Sequence, residues 1–176
     1  MNLLAYLQPT HVYLSDVCEN GLGGLSELGR AWRWLIPVHL RSRAHINLLE
    51  FLGNIVCIWV NIIDKSIPLE SCLLSMGDST SAMGWMQKSN ITNDDKKDTD
   101  TIAKLAAAHH LARIVQDSLS CLYNQLFCGE DNDVSDSLSR YHHSSASVLI
   151  NLLSSSILNQ HPPDFKIAPL PPVIDS

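Results

Sequence analysis

The chain offers little positive charge to a polyanion. Its 176 residues carry 12 Lys and Arg against 18 Asp and Glu, a formal net charge of −6. This balance argues against a protein that binds nucleic acid simply by coating phosphates. It leaves room for an enzyme that meets phosphates through metals held by its carboxylates. Paired-cysteine motifs are absent too. Cys18, Cys57, Cys72, Cys121 and Cys128 are odd in number, contain no Cys-x-x-Cys and mostly sit inside apolar runs, so they read as reduced core residues of an intracellular protein. The first residues, Met1 to Tyr6, have no basic n-region and no small-residue cleavage site, which excludes a secretory signal. An uninterrupted membrane span is lacking: the one segment of that length, Ile46 to Ile63, contains Asn47, Glu50, Asn54 and Asn61, each costly in hydrocarbon. That segment reads as a buried helix, and no membrane partner is expected. With 45% apolar and 17% charged residues, the composition is that of a globular chain of one domain plus an extension.

The stretch Leu73 to Met86 organises the rest. Apolar residues run up to Gly77, Asp78 follows, and the cluster Ser79-Thr80-Ser81 opens a helix carrying Ala82, Met83, Trp85 and Met86. Active sites of open α/β sheets gather at the carboxyl ends of strands, and a helix N-terminus there offers free N–H groups to phosphate oxygens. An Asp before Ser and Thr is equally an ordinary turn or cap residue, so Asp78 gains weight only from the company it keeps.

Upstream, Val12 to Cys18 is β-rich, and its alternation puts Val12, Leu14 and Asp16 on one face. Asn20-Gly21 signals a hairpin into the lean strand Gly21 to Ser26, where backbones can approach closely. A turn at Leu28-Gly29 leads to a third strand, Arg30 to Ile36, stopped by Pro37, so the three strands form an antiparallel meander. His45 to Ile63 is a helix, apolar except for a stripe of Asn47, Glu50, Asn54, Cys57 and Asn61. That stripe either meets solvent or buries a carboxylate that needs a partner or a metal. Residues 90–100 are too polar to pack and read as a loop. Ile102 to Leu119 is a long helix on which the neighbours His109 and His110 read as surface residues. Cys121 to Phe127 is another strand. Gly129-Glu130-Asp131-Asn132-Asp133 leads from it into a helix at Val134 to Arg140, capped by Asn132 or Asp133. One more helix is expected over Ser144 to Ile157. His161-Pro162-Pro163 and Pro169 to Pro172 then mark a Pro-rich tail or linker.

The order strand–strand–strand–helix–strand–helix–helix–strand–helix, with acids at Asp16, Glu50, Asp78 and Asp136, is more specific than any single acid. Four segments carry a likeness: Tyr13 to Gly24, Ile46 to Leu52, Gly77 to Trp85, and Gly129 to Arg140. Through them the sequence resembles the ribonuclease H domain attached to retrotransposon reverse transcriptases. The last segment is similar to the gypsy-type and DIRS-like motif, in which a Gly-x-x-Asn loop leads to Ala-Asp-x-Leu-Ser-Arg; Ser135 stands here for the usual Ala. A histidine that cellular ribonucleases H carry in the corresponding loop is missing, which leaves proton transfer to water or another residue.

The resemblance implies an α/β ribonuclease H-like fold over residues 1–143, with a five-stranded mixed sheet, three strands antiparallel and two parallel, and helices on both faces. A possible C-terminal helix at 144–160 and a Pro-rich tail at 161–176 would follow. It also implies hydrolysis of the RNA strand of an RNA–DNA hybrid with two Mg²⁺ ions, Mn²⁺ being able to substitute. Asp16 would bridge both metals, Glu50 and Asp78 would hold one, and Asp136 the other. Ser79, Thr80, Asn132 and Arg140 are candidate substrate contacts, and Arg30, Arg33, Arg41, Arg43 and Lys88 are the further cations available to a groove. The implied partner is a reverse-transcriptase polymerase domain, in the same chain or associated, and the chain is expected to be a piece of a longer intracellular polyprotein. Two other readings are a domain that keeps the fold without chemistry, as a connection piece or a retroelement remnant, and another two-metal nuclease such as an integrase or a proofreading exonuclease. Retention of all four acids speaks against the first, and the Asp-x-Leu-Ser-Arg ending against the second.

Overall fold

Alternating apolar positions and two tight turns build a meander of β1 (His11–Val17), β2 (Gly21–Ser26) and β3 (Arg30–Leu35). The computed structural model describes residues 8–41, 44–63, 65, 67–88, 99–156 and 165–171. The turn before β3 closes on Gly29 at φ 80, a left-handed conformation natural to glycine. β4 (Cys72–Gly77) then pairs parallel to β1, and β5 (Cys121–Leu126) parallel to β4. The polar stretch read as a loop lies outside the described residues at 90–98, whereas Thr99 and Asp100 already belong to a helix.

The sheet has six strands, not five, in the order β5-β4-β1-β2-β3-β6. The added strand, β6 (Lys166–Ile167), comes from the segment expected to be a tail or linker, and it pairs parallel to β3. Phe165 just before it is 8% exposed and sits in the core. Burying one aromatic ring and covering an otherwise open sheet edge together explain why this piece of the tail is ordered. The tail's Pro-rich ends at 161–164 and from 172 onward lie outside the described residues.

Two cores lie on the two faces of the sheet. The larger is built by α2 (Ile46–Ile63), α3 (Thr80–Lys88) and α4 (Thr99–Asp117), through residues such as Phe51, Ile58, Met83 and Leu111. The smaller is built by α5 (Asp133–Arg140) and α6 (Ala146–Ser156), whose Leu138, Leu149 and Leu153 pack with Leu25 and Phe165. A short α1 (Val38–Arg41) links the meander to α2. By length and composition α2 passes for a membrane span, but 61% of it is buried inside the fold. Its polar stripe turns inward: Asn54 donates to the Glu50 carbonyl at 2.8 Å and Asn61 to that of Cys57 at 2.7 Å.

Two further expectations are corrected. His110 is half-buried, stacked edge-on against Trp59 at 4.2 Å, because α4 lies against α2 there; His109 is exposed. Cys57 and Cys72 are buried core residues as expected, but Cys121 and Cys128 are exposed, since β5 is an outer strand and Cys128 follows it in a loop.

Candidate active site

The four acids come from four elements and meet at one end of the sheet. Asp16 is the next-to-last residue of β1 and is 7% exposed. Glu50 lies one turn into α2 and is 8% exposed. Asp78 follows the last residue of β4 and is exposed, and Asp136 is half-buried on α5. Their proximity shows in their electrostatics. Burial pushes the Glu50 carboxyl up to about 8, and the charges of Asp78 and Asp16 add to the rise. Burial also pushes Asp16 up to about 6; the Ser139 hydroxyl pulls it down, and Asp136 and Asp78 push it further up. Glu50 therefore holds a proton at neutral pH until something positive takes the proton's place.

Specific contacts bring these elements into line. In the β1–β2 ladder Gly23 lies opposite Asp16, and a Cβ on Gly23 would come within 2.5 Å of Leu138 and 2.6 Å of the Ser139 nitrogen. Only a glycine lets α5 lie that close to the sheet. Asn132 then donates to the Ser15 carbonyl at 3.1 Å and Ser139 to the Asp16 carboxylate at 2.9 Å, which fixes both ends of α5 on β1. On the other face, the Ser75 hydroxyl donates to Asn54 at 2.8 Å, fastening β4 to α2 and setting Glu50 beside Asp78. The loop after β5 closes the site, and a Cβ on Gly129 would stand 3.1 Å from Asp78 Oδ2.

The candidate substrate contacts differ in what each does within the fold. Ser79 caps α3, accepting from the Ala82 N–H at 3.2 Å, and Thr80 beside it is exposed. Asn132 occupies the N-cap position of α5 without capping it: its side chain is 3% exposed and committed to β1, where it holds α5 in place. Arg140 is exposed and pairs with Asp136 at 2.5 Å, one turn away on the same helix. A shallow groove lined by Cys18, Glu19, Asn20, Ile46 and Arg140 runs alongside.

The donor set suits a hard divalent cation, being all carboxylate oxygen. Among the described residues no three acids, histidines or cysteines already form a cage for a metal ion. Mg²⁺ does not require one, because it keeps several waters and commonly takes substrate phosphate as well as one or two carboxylates.

The chain is similar to the crystal structure of RNase H1 from the halophilic archaeon Halobacterium salinarum NRC-1, with a TM-score of 0.50 and 16% identity over 73% of this chain and 91% of that one. The fold is ribonuclease H-like. No family model and no curated protein matches the sequence. Within this ribonuclease H-like frame, the residues that sequence reasoning overlooked are the fasteners: Ser139, Asn54, Ser75 and the Asn132 contact to β1. Asn54 had a signal, its place in the polar stripe of α2. Ser139 stood in the Leu-Ser-Arg ending of the motif, but nothing local named its partner, because Asp16 lies 123 residues away.

Proposed function

We propose that this chain is a reverse-transcriptase-associated ribonuclease H of a retrotransposon, hydrolysing the RNA strand of an RNA–DNA hybrid. The observation that carries this reading is the convergence of Asp16, Glu50, Asp78 and Asp136 from four elements of a ribonuclease H-like fold, two of them buried with raised pKa values. Such an arrangement of acids is unfavourable unless it serves a cation. Asp16, Glu50 and Asp78 would hold one divalent ion, and Asp16 with Asp136 a second. Bound in this way, paired divalent cations supply an activated water and neutralise charge on the leaving oxygen.

The chain's own residues do the rest. Ser139 keeps one Asp16 oxygen occupied and so orients the other. Asn54 and Ser75 hold Glu50 and Asp78 at a fixed separation. The exposed N-terminal turn of α3 after Ser79 offers its amides to a phosphate. Glu50 must give up its proton before a cation binds, so metal affinity rises with pH through about 8.

Grip on the hybrid is weak in this reading, and a polymerase domain would supply the missing affinity. Arg33 is committed to the carbonyls of Tyr141 and Ser144, and Arg41 to that of Ile36 and to Asn20. Arg43 lies outside the described residues.

The test is incubation of the purified chain with labelled hybrid, duplex DNA and single-stranded RNA. Cleavage of RNA only within the hybrid, dependent on Mg²⁺ or Mn²⁺ and stopped by EDTA, is expected. Cleavage in chelator, or equal cleavage of single-stranded RNA, overturns the assignment. One observation favours a second reading, a fold retained without chemistry: Arg140 occupies Asp136. No cleavage at any metal concentration, with hybrid still bound in Ca²⁺, would establish that alternative.

A further inference from the structure

At the end of β4 and β5 opposite the acids, the first residues of the two strands, Cys72 and Cys121, are register partners in a parallel ladder. Register partners project from the same face of a sheet, on strands about 4.8 Å apart. That spacing falls inside the Cα window of about 4.4–6.8 Å that a disulfide spans. We infer that Cys72 and Cys121 are a redox-active dithiol, closed to a disulfide by a low-molecular-weight disulfide and reopened by thiol.

The two thiols differ in a way that assigns their roles. Cys121 is exposed on the outer strand of the sheet, while Cys72 is 5% exposed. The incoming disulfide therefore meets Cys121 first. The Cys121 thiolate attacks one sulfur, forms a mixed disulfide and releases one thiol. The Cys72 thiolate then attacks the Cys121 sulfur, the mixed disulfide breaks, and a second thiol leaves. In all, two protein thiols become one disulfide and the oxidant becomes two thiols. Burial and the neighbouring Cys121 raise the Cys72 pKa, so the second step is the slower and quickens with pH. Among the described residues the outer strand β5 pairs with β4 alone, which gives it room to adjust as the S–S bond forms. Cys121 is exposed, so a bond formed there is open to thiols and easily reduced, which suits a reversible response. The remaining thiols are placed differently: Cys57 is buried under the sheet, Cys18 donates to the Ser139 carbonyl, and Cys128 lies beyond the far end of β5.

The experiment treats the folded full chain with oxidised glutathione, then denatures it, alkylates the thiols that remain, and maps the peptides by mass. The expected result is a linked Cys72–Cys121 peptide, with three of the five cysteines still alkylated and full recovery after dithiothreitol. Cys72→Ser should trap one glutathione on Cys121, while Cys121→Ser should leave Cys72 alkylatable only after denaturation. Glutathione stably held on Cys121 in the parent, a link joining other cysteines, or no change in either thiol overturns the proposal. The parent's own peptide map decides the matter even where a variant fails to fold. None of these readouts depends on nuclease activity.

Discussion

Asp16 and Glu50 differ from Asp78 and Asp136 in how the fold holds them. The first two project from the end of β1, an inner strand, and from the buried helix α2, are less than a tenth exposed, and have carboxyls raised to about 6 and about 8. The second two stand at a strand exit and on a short helix, in contact with water. The buried pair is placed rigidly at the expense of stability, whereas the pair in contact with water costs little and adapts. One site thus combines a rigid, strained half with a compliant half, and the difference is open to test.

The largest effect is expected on activity. Glu50→Gln and Asp16→Asn should each lower hybrid cleavage by about 100-fold or more, on the scale of removing one transition-state charge stabiliser. Asp136→Asn should fall as far in low Mg²⁺ but recover in part with Mn²⁺ or more metal, because its neighbours can readjust. Steady-state cleavage across a metal titration measures this, and identical loss for Glu50→Gln and Asp136→Asn under every metal would erase the distinction between the two halves.

The next effect concerns stability against pH in the absence of metal. Both buried acids have folded pKa values above their unfolded ones, so the stability they contribute is complete below about pH 4 and is lost as pH rises through about 6 and then about 8. Thermal melts of the metal-free chain should fall over this window, and Mg²⁺ should restore the loss. Glu50→Gln should remove the upper part of the decline and stabilise the metal-free protein at pH 8 by on the order of 4 kcal/mol. Asp78→Asn should flatten the decline only in part, by relieving repulsion on Glu50. A metal-free melting temperature that rises from pH 5 to 8 would contradict the account.

Asn132→Ala should cost about 1–3 kcal/mol in urea unfolding, the usual penalty when a buried carbonyl loses its donor. Because Asn132 also seats the start of α5, Mg²⁺ affinity should drop with stability.

The smallest effect belongs to Arg140→Ala. Its side chain is 57% exposed and that of Asp136 39%, so breaking this i, i+4 pair should change stability by no more than about 0.5 kcal/mol. Release of Asp136 should instead appear as tighter Mg²⁺ binding by calorimetry, and weaker binding would show that Arg140 positions Asp136 rather than competing for it.

Much of this architecture was legible in the sequence because it rests on local periodicity. The meander around Asn20-Gly21 and Leu28-Gly29, the long helices and the strand ending at Gly77 follow from alternation, helical spacing and turn residues. What local signals missed is instructive. Lys166–Ile167 is a two-residue strand, too short for any alternation to show, and it exists because β3 offers an open edge and Phe165 a ring to bury. His110 looked like a surface residue until α4 was laid against Trp59 of α2. Asn132 has the residue type and position of a helix cap, yet its amide turns to Ser15, which no local pattern reveals.

The sequence by itself determined which residue types are available, in what order, and on which faces of which elements: an acid at the end of a strand, one on a buried helix, one before a Ser/Thr cluster and one after a Gly-containing loop. It also determined that the 18-residue apolar helix Ile46–Ile63 needs covering nearly all round. Only the tertiary structure decided that Glu50 is buried next to Asp78 and Asp16, that α5 sits close enough over Gly23 for Ser139 to reach Asp16, and that Cys72 stands beside Cys121. Those relations depend on separations of tens of residues closed by packing, and a carboxyl's charge state depends on the water and charges around it, neither of which is a property of the residue alone.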